Sequence, residues 1–274
     1  MIISANRNSG NALVSDHKLP TAGHYGKIVI HIVLSGSKKQ IYYMDKIYVS
    51  ARADNRLVDY LKNMGFQIEI IHTEGLVSAP VSDHPDMFMC RMGPGPGAPV
   101  VSHLDNVTDC SSTDVDAYDA GAAILSPGYP DEVAFNAACT GKYFIHNLKY
   151  TAPQLLNIAH TMGMIPVDVK QGYAKCSTVI VDEDSIITYD RGLGHRCMDA
   201  GINVLFVVPG HVLLKGYECG FLGGASGRIG DTVYFNGDLS AHPDFQAITG
   251  FIEERGLRVK WFPEWPLTDI GTIL

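Results

Sequence analysis

Past residue 45 the hydrophobic positions repeat one pattern: an apolar run of strand length, a polar residue, an amphipathic helix, a glycine and a second apolar run. Ile47-Tyr-Val-Ser50 is followed by Leu57, Val58, Leu61 and Met64, which recur at i, i+1, i+4 and i+7 and predict one face of a helix. Gly65 then supplies a left-handed C-terminal residue before the run Phe66–Ile71. Tyr143–His146 leads to a helix with Leu155, Ile158, Ala159 and Met162 on its apolar face. Thr151-Ala-Pro-Gln154 has the form of a capping box with Pro153 in the first turn, and Met164–Val169 follows. Ser185–Asp190, a short helix to Ala200 and Ile202–Val208 repeat the pattern. So do Thr232–Asn236, a helix with Phe245, Ile248 and Ile252, and Leu257–Phe262. Pro99–His103, a polar stretch and Ala120–Leu125 form the weakest copy, with a short or irregular helix.

Between these units lie further short runs that can pair as hairpins: Met87–Arg91, Val133–Ala137, Ser177–Val181, Phe221–Arg228 and Ile270–Leu274. The clearest hairpin is Thr178–Val181, the acidic turn Asp182-Glu-Asp184 and Ser185–Tyr189, with Cys176 at one mouth and Asp190 at the same end. The chain therefore reads as five ββαβ units of about 40–55 residues, a repeat length typical of stacked or ring architectures. Closing five such units gives an α/β propeller that hides its inner strand edges. An open α/β sheet is the competing architecture. Ahead of the repeat, Met1–Gly26 is an irregular polar arm, and Lys27–Leu34 with Gln40–Met44 predict a strand pair. The expected organisation is an arm over 1–26 and one propeller domain over 27–274.

Composition changes this picture little. Hydrophobic residues make up 46% and charged residues 18% of the 274, as in an ordinary globular protein. A net charge of −8 argues against a nucleic-acid or anionic-membrane partner. No apolar run is long enough to span a bilayer, and the start has no basic region followed by an apolar stretch. The six cysteines form no C-x-x-C and read as reduced thiols, so a cytoplasmic location is expected.

The five-fold repeat resembles the pentein, or guanidino-group-modifying-enzyme, superfamily. The chain is more closely similar to an uncharacterised pentein-fold family found mainly in clostridia-like bacteria. That resemblance is carried by Asp83-His-Pro-Asp86, Phe144-Ile-His-Asn-Leu-Lys-Tyr-Thr151, Gln171-Gly-Tyr-Ala-Lys-Cys-Ser177, Gly220-Phe-Leu-Gly-Gly-Ala-Ser-Gly227, His242-Pro-Asp244 and Asp269-Ile-Gly271. It implies a site at the centre of the ring, lined by the starts of first strands (Asp86, Asp131 or Glu132, Cys176, Ser226, Asp269) and the ends of second strands (Arg52, His103, His146, Asp190, Asn236). Such an inventory suits attack of a thiolate on a guanidinium carbon held by carboxylates. The expected roles are Cys176 as nucleophile, His146 or His103 as general base, and Asp86, Asp131, Asp190, Asn236 and Ser226 as substrate contacts. The partner implied is a small cationic guanidine-like molecule, with no cofactor and no metal, and a homo-oligomer left open. The alternative is a non-catalytic protein that uses the same mouth to bind a small ligand or a protein.

One departure stands out. The catalysing members carry their cysteine in the last unit, whereas here no cysteine follows Cys219. Lys175, next to Cys176, is expected to point away from it, because neighbours on a strand face opposite sides. His84/Asp86 and His103/Asp105 form two His-x-Asp pairs of a kind that can bind divalent metals. Gly223-Gly-Ala-Ser-Gly227 reads as a hairpin with close backbone approach rather than a phosphate cradle.

Overall fold

The computed structural model describes residues 30–35, 38–43, 46–95, 97–104 and 125–274. The arm over 1–26, Asp105 and all but Leu125 of the predicted run 120–125 lie outside the described residues, as does most of the weakest unit. Strands β1 (Ile30–Ser35) and β2 (Lys38–Tyr43) form an antiparallel pair of their own, as the sequence predicts.

The rest is a mixed α/β structure of several small sheets. β3 (Lys46–Ser50), helix α1 (Asn55–Asn63) and β4 (Gln67–Ile71) form a parallel strand–helix–strand unit. β5 (Met89–Arg91) and β6 (Val100–Ser102) pair antiparallel. Three full ββαβ units follow. The first is β7 (Ala138–Cys139), β8 (Tyr143–His146), α2 (Pro153–Thr161) and β9 (Ile165–Asp168). The second is β10 (Thr178–Asp182), β11 (Ser185–Thr188), α3 (Arg191–Asp199) and β12 (Asn203–Phe206). The third is β13 (Ser226–Ile229), β14 (Thr232–Phe235), α4 (Phe245–Glu253) and β15 (Arg258–Lys260). In each, the first two strands are antiparallel and the third returns parallel through the helix. The first strands lie side by side, β5 against β7, β7 against β10 and β10 against β13.

Among the described residues, the β3–α1–β4 unit has no first strand of its own. The C-terminus supplies backbone partners instead: Tyr48 N donates to Leu274 O at 2.8 Å, and Leu274 N donates back to Tyr48 O at 3.0 Å. A hydrophobic cluster joins the same two regions, packing Ile47, Leu57 and Leu61 with Tyr234, Phe262 and Ile273. Leu57 and Leu61 are fully buried, each contributing about 2 kcal/mol to folding.

Several local expectations are corrected. Met64 and Met162, assigned to buried helix faces, are 55% and 43% exposed, because each sits at the C-cap where the chain turns out of the helix. The capping box at Thr151 does not form: Ala152 is the N-cap, without a side-chain bond, and the Thr151 hydroxyl turns to His146 and the Asn147 carbonyl. Most of Val133–Ala137 is a turn, held by Asn136 N donating to Val133 O, so the strand begins only at Ala138. Residues 221–225 are likewise irregular, and β13 starts at Ser226.

Candidate functional site

Four chain segments converge on Cys176. The first is the turn of residues 172–177, where Ser177 N donates to Tyr173 O and Thr178 N to Lys175 O. The second is a 3-10 turn, Pro85–Met87, entered from His84. The third is the glycine-rich loop before β13, and the fourth is the C-terminal segment from Asp269. Their closeness depends on missing side chains. A Cβ on Gly223 would lie 2.5 Å from the Cys176 carbonyl oxygen, and one on Gly224 would lie 2.1 Å from Asp269 Oδ1. Gly224 N donates to Cys176 O at 2.8 Å. Gly271, at φ +67°, lets the C-terminal segment lie directly on His84, and its carbonyl accepts from Asp86 N at 3.2 Å.

The Cys176 thiol is 2% exposed. Sγ donates to Asp86 Oδ2 at 3.1 Å and accepts from Asn136 Nδ2 at 3.2 Å. Asn136 Oδ1 accepts the backbone N–H groups of both Lys175 and Cys176, fixing the turn. Lys175 is buried as well. Its Nζ donates to Thr272 Oγ1 at 2.7 Å and to Gly223 O at 3.2 Å. Thr272 donates onward to Ser226 O at 2.6 Å. Thr272 has φ 75°, a left-handed conformation that a β-branched residue adopts at a cost of about 1–3 kcal/mol. Asp269 is pinned by two backbone donors, Gly271 N to Oδ1 and Phe221 N to Oδ2.

Burial dominates the electrostatics. It pushes the Cys176 thiol well above the usual range, and the charges of Asp86 and Asp269 push the same way. Burial also raises Asp86, opposed by His84 and Lys175. It lowers Lys175, opposed by Asp86, Cys176 and Asp269. The cluster therefore holds a protonated thiol beside carboxylates and a weakened ammonium. Two of its atoms have no hydrogen-bond partner, His84 Nδ1 and Asp86 Oδ1; the adjacent Ser177 Oγ and Thr178 Oγ1 share that condition. His84 Nδ1 is 3.7 Å from Asp269 Oδ1, an ion-pair distance too long for a hydrogen bond. His84, Asp86 and Cys176 offer nitrogen, oxygen and sulfur donors within 4.8 Å of one another.

Half-buried aromatic rings lie nearby. Phe221 stacks on Tyr189 at 5.8 Å and leans on Tyr173 at 6.2 Å. Burial raises both tyrosines. On another side a cavity of about 30 Å³, room for about one water, is lined by Cys90, Arg91, Lys175, Ser226 and Thr272. A wider open depression of about 730 Å³ surrounds the hairpin turn Asp182–Ser185 at the opposite end of β10 and holds none of the predicted site residues.

Of the residues singled out from the sequence, Cys176 and Asp86 meet in a hydrogen bond, His84 and Asp269 lie in the same cluster, and Ser226 adjoins them through Thr272. The others stand apart from that network. His146 is fully buried between two partners: Nε2 donates to the Gly172 carbonyl at 2.8 Å, and Nδ1 meets the Thr151 hydroxyl at 2.6 Å. Burial lowers its pKa to about 4, so it is neutral and has no spare nitrogen. His103 lies beside the Phe135 ring at 5.6 Å. Asp190 caps α3 through Leu193 N and accepts from Gln171 Nε2. Asp131 is exposed, near Ser126. Asn236 is buried, donating to Thr268 O and accepting from the Trp265 indole.

The sequence reading missed Lys175, Asn136 and Thr272. Lys175 was expected to point away, but 172–177 is a turn, so strand alternation does not apply and its ammonium comes inward. Asn136 had no signal. Thr272 had only its place beside Gly271.

No curated protein and no solved structure matches the chain. Residues 48–274 match a family of unknown function (DUF6873), and these residues include every segment of the cluster; the chain belongs to that family.

Proposed function

We propose that the chain is a five-bladed ββαβ propeller of the guanidino-group-modifying kind, and that its central cluster takes a small guanidinium or amidinium compound, with Cys176 as nucleophile. The ring reading is supported by the side-by-side first strands and by the Tyr48–Leu274 backbone pair, which links the first unit to the last segment. The functional reading rests on one observation: a buried thiol hydrogen-bonded to Asp86, with a second carboxylate, Asp269, in its field.

In the resting protein burial, reinforced by those carboxylates, holds the thiol protonated. A planar cation seated between them would cancel that field through charge-assisted hydrogen bonds, and the aromatic faces of Tyr189 and Phe221 suit the same cation. The thiol proton then passes to Asp86 as Sγ bonds to the guanidinium carbon. The carbon–nitrogen bond breaks and ammonia departs, carrying the Asp86 proton. Water adds to the thiouronium carbon, giving one proton to His84 Nδ1; the carbon–sulfur bond breaks, His84 returns that proton to Sγ to restore the thiol, and the remaining hydroxyl proton passes to the released ammonia as the urea forms. The sum is guanidinium plus water giving a urea and ammonium.

The test is mass-spectrometric mapping of Cys176 labelling by a chloroacetamidine at neutral pH, followed by ammonia release from a panel of guanidines. Selective labelling and turnover that Cys176→Ala abolishes is the expected result; turnover surviving in Cys176→Ala overturns the nucleophile. The burial of Cys176 and the lack of a cysteine in the last unit favour a second reading, a non-catalytic binder of a small cation or a protein partner. Binding of a guanidine without ammonia release selects it.

A further inference from the structure

We propose that His84, Asp86 and Cys176 bind one divalent cation of borderline softness, with Zn²⁺ the best fit. This goes beyond the guanidine reading and does not rest on it. A metal on Cys176 would withhold the sulfur from any substrate, so the two occupants describe separate states of one cluster.

The first support is unmet bonding capacity. His84 is 1% exposed and its Nδ1 has no hydrogen-bond partner; Asp86 is 1% exposed and its Oδ1 has none. A buried polar atom left unpaired costs about 1–3 kcal/mol, so two on residues that converge on Cys176 point to a missing common partner. Their own donors, and Cys176 Sγ, lie within 4.8 Å of one another. Ligands around a tetrahedral zinc with bonds of 2.0–2.3 Å stand about 3.3–3.8 Å apart. Side-chain rotations of about 1 Å bring the three donors to that spacing.

The second support is the donor set. One imidazole nitrogen, one carboxylate oxygen and one thiolate suit zinc; Ca²⁺ and Mg²⁺ demand many hard oxygens, and here a single carboxylate oxygen is free. Three ligands leave a fourth position for water. Asp269 Oδ1, 3.7 Å from His84 Nδ1, already accepts Gly271 N, and Oδ2 accepts Phe221 N, so this carboxylate stays outside the ligand set. Binding replaces the thiol proton by the metal, which releases one proton.

The segments are fixed before any metal arrives. Asp86 N is tied to Gly271 O, Cys176 N to Asn136 Oδ1, and the Gly271 turn presses on His84. Such a frame holds ligands ready for a cation.

The test titrates the chelator-treated full chain with Co²⁺, then displaces it with Zn²⁺. One equivalent of Co²⁺ is expected to give a thiolate-to-cobalt charge-transfer band with the intense visible bands of a tetrahedral site, both lost on adding one equivalent of Zn²⁺. Cys176→Ser should lose the charge-transfer band. His84→Gln and Asp86→Asn should each weaken binding by about tenfold or more. Cys219→Ser should change nothing. A wild-type spectrum with no charge-transfer band overturns the proposal, even if a variant fails to fold. So does a band that survives in Cys176→Ser, or affinity unchanged in both His84→Gln and Asp86→Asn. Amidine labelling and ammonia release, run on the metal-free chain, keep the two readings apart. Turnover without the cobalt band sinks the metal site alone, and the cobalt band without labelling or turnover sinks the guanidine chemistry alone.

Discussion

His146 and Cys176 both sit sealed from solvent, yet the structure treats them oppositely. Around His146 every polar atom finds a partner: the Gly172 carbonyl takes Nε2–H and the Thr151 hydroxyl meets Nδ1. Around Cys176 the chain brings together a thiol, two carboxylates and a lysine, and leaves His84 Nδ1 and Asp86 Oδ1 open. A satisfied buried network specifies packing. An unsatisfied one, with Thr272 at φ 75° beside it, costs folding stability. The difference is legible in which bonds are missing, since burial is shared by both sites.

If this contrast is right, the two sites should respond to substitution with different signs. The largest effect is expected at His146. His146→Ala would leave the Gly172 carbonyl unpaired and open a cavity, lowering stability by about 3–5 kcal/mol in urea unfolding. A loss under about 1 kcal/mol would remove His146 from the structural class.

The pH dependence comes next. The folded pKa of His146 is about 4, against an ordinary value of 6.5. Between those values the unfolded chain binds the extra proton, so stability rises with pH across that window and is lost as pH falls through it. The expected loss from pH 6.5 to 4 is about 3 kcal/mol, measured as a shift in urea midpoint that His146→Gln should largely remove.

Asn236 offers a smaller copy of the same behaviour. Asn236→Ala would orphan the Trp265 indole N–H and the Thr268 carbonyl, and an expected loss of about 2 kcal/mol would show as a lower midpoint with an unchanged urea slope.

At the Cys176 cluster the effect should be smallest and can reverse sign. The folded pKa of Asp86 is raised, so its carboxylate works against folding above the ordinary carboxylate range; Asp86→Asn relieves that at neutral pH while leaving Lys175 short of one counter-charge. The net expected change is within about 1 kcal/mol of zero or stabilising, together with loss of amidine labelling at Cys176. Destabilisation as large as that of His146→Ala would make the cluster structural and erase the contrast.

Much of the architecture was visible in the hydrophobic pattern. The strand–helix–glycine–strand repeats were found where three full units now stand, because amphipathic helices and short apolar strands write their periods directly into the chain. Helix ends were less legible: Met64 and Met162 continue the apolar spacing but fall at the caps, where the chain turns outward. At the site, Cys176 and Asp86 were found because strand starts repeat in register. His146, Asn236 and Asp190 share that register but spend their polar atoms on local partners, which no spacing encodes.

The sequence by itself determined the elements, their order and the polar residues at the strand ends, since these follow from local propensity and period. Only the tertiary structure decided which polar residues meet. Lys175 turns inward because 172–177 is a turn, and Asp269 reaches Gly224 because a glycine leaves that space open. His84 faces Cys176 because Gly271 can take a left-handed φ. Those outcomes depend on contacts between segments tens to nearly two hundred residues apart, where close approach and hydrogen-bond competition act together.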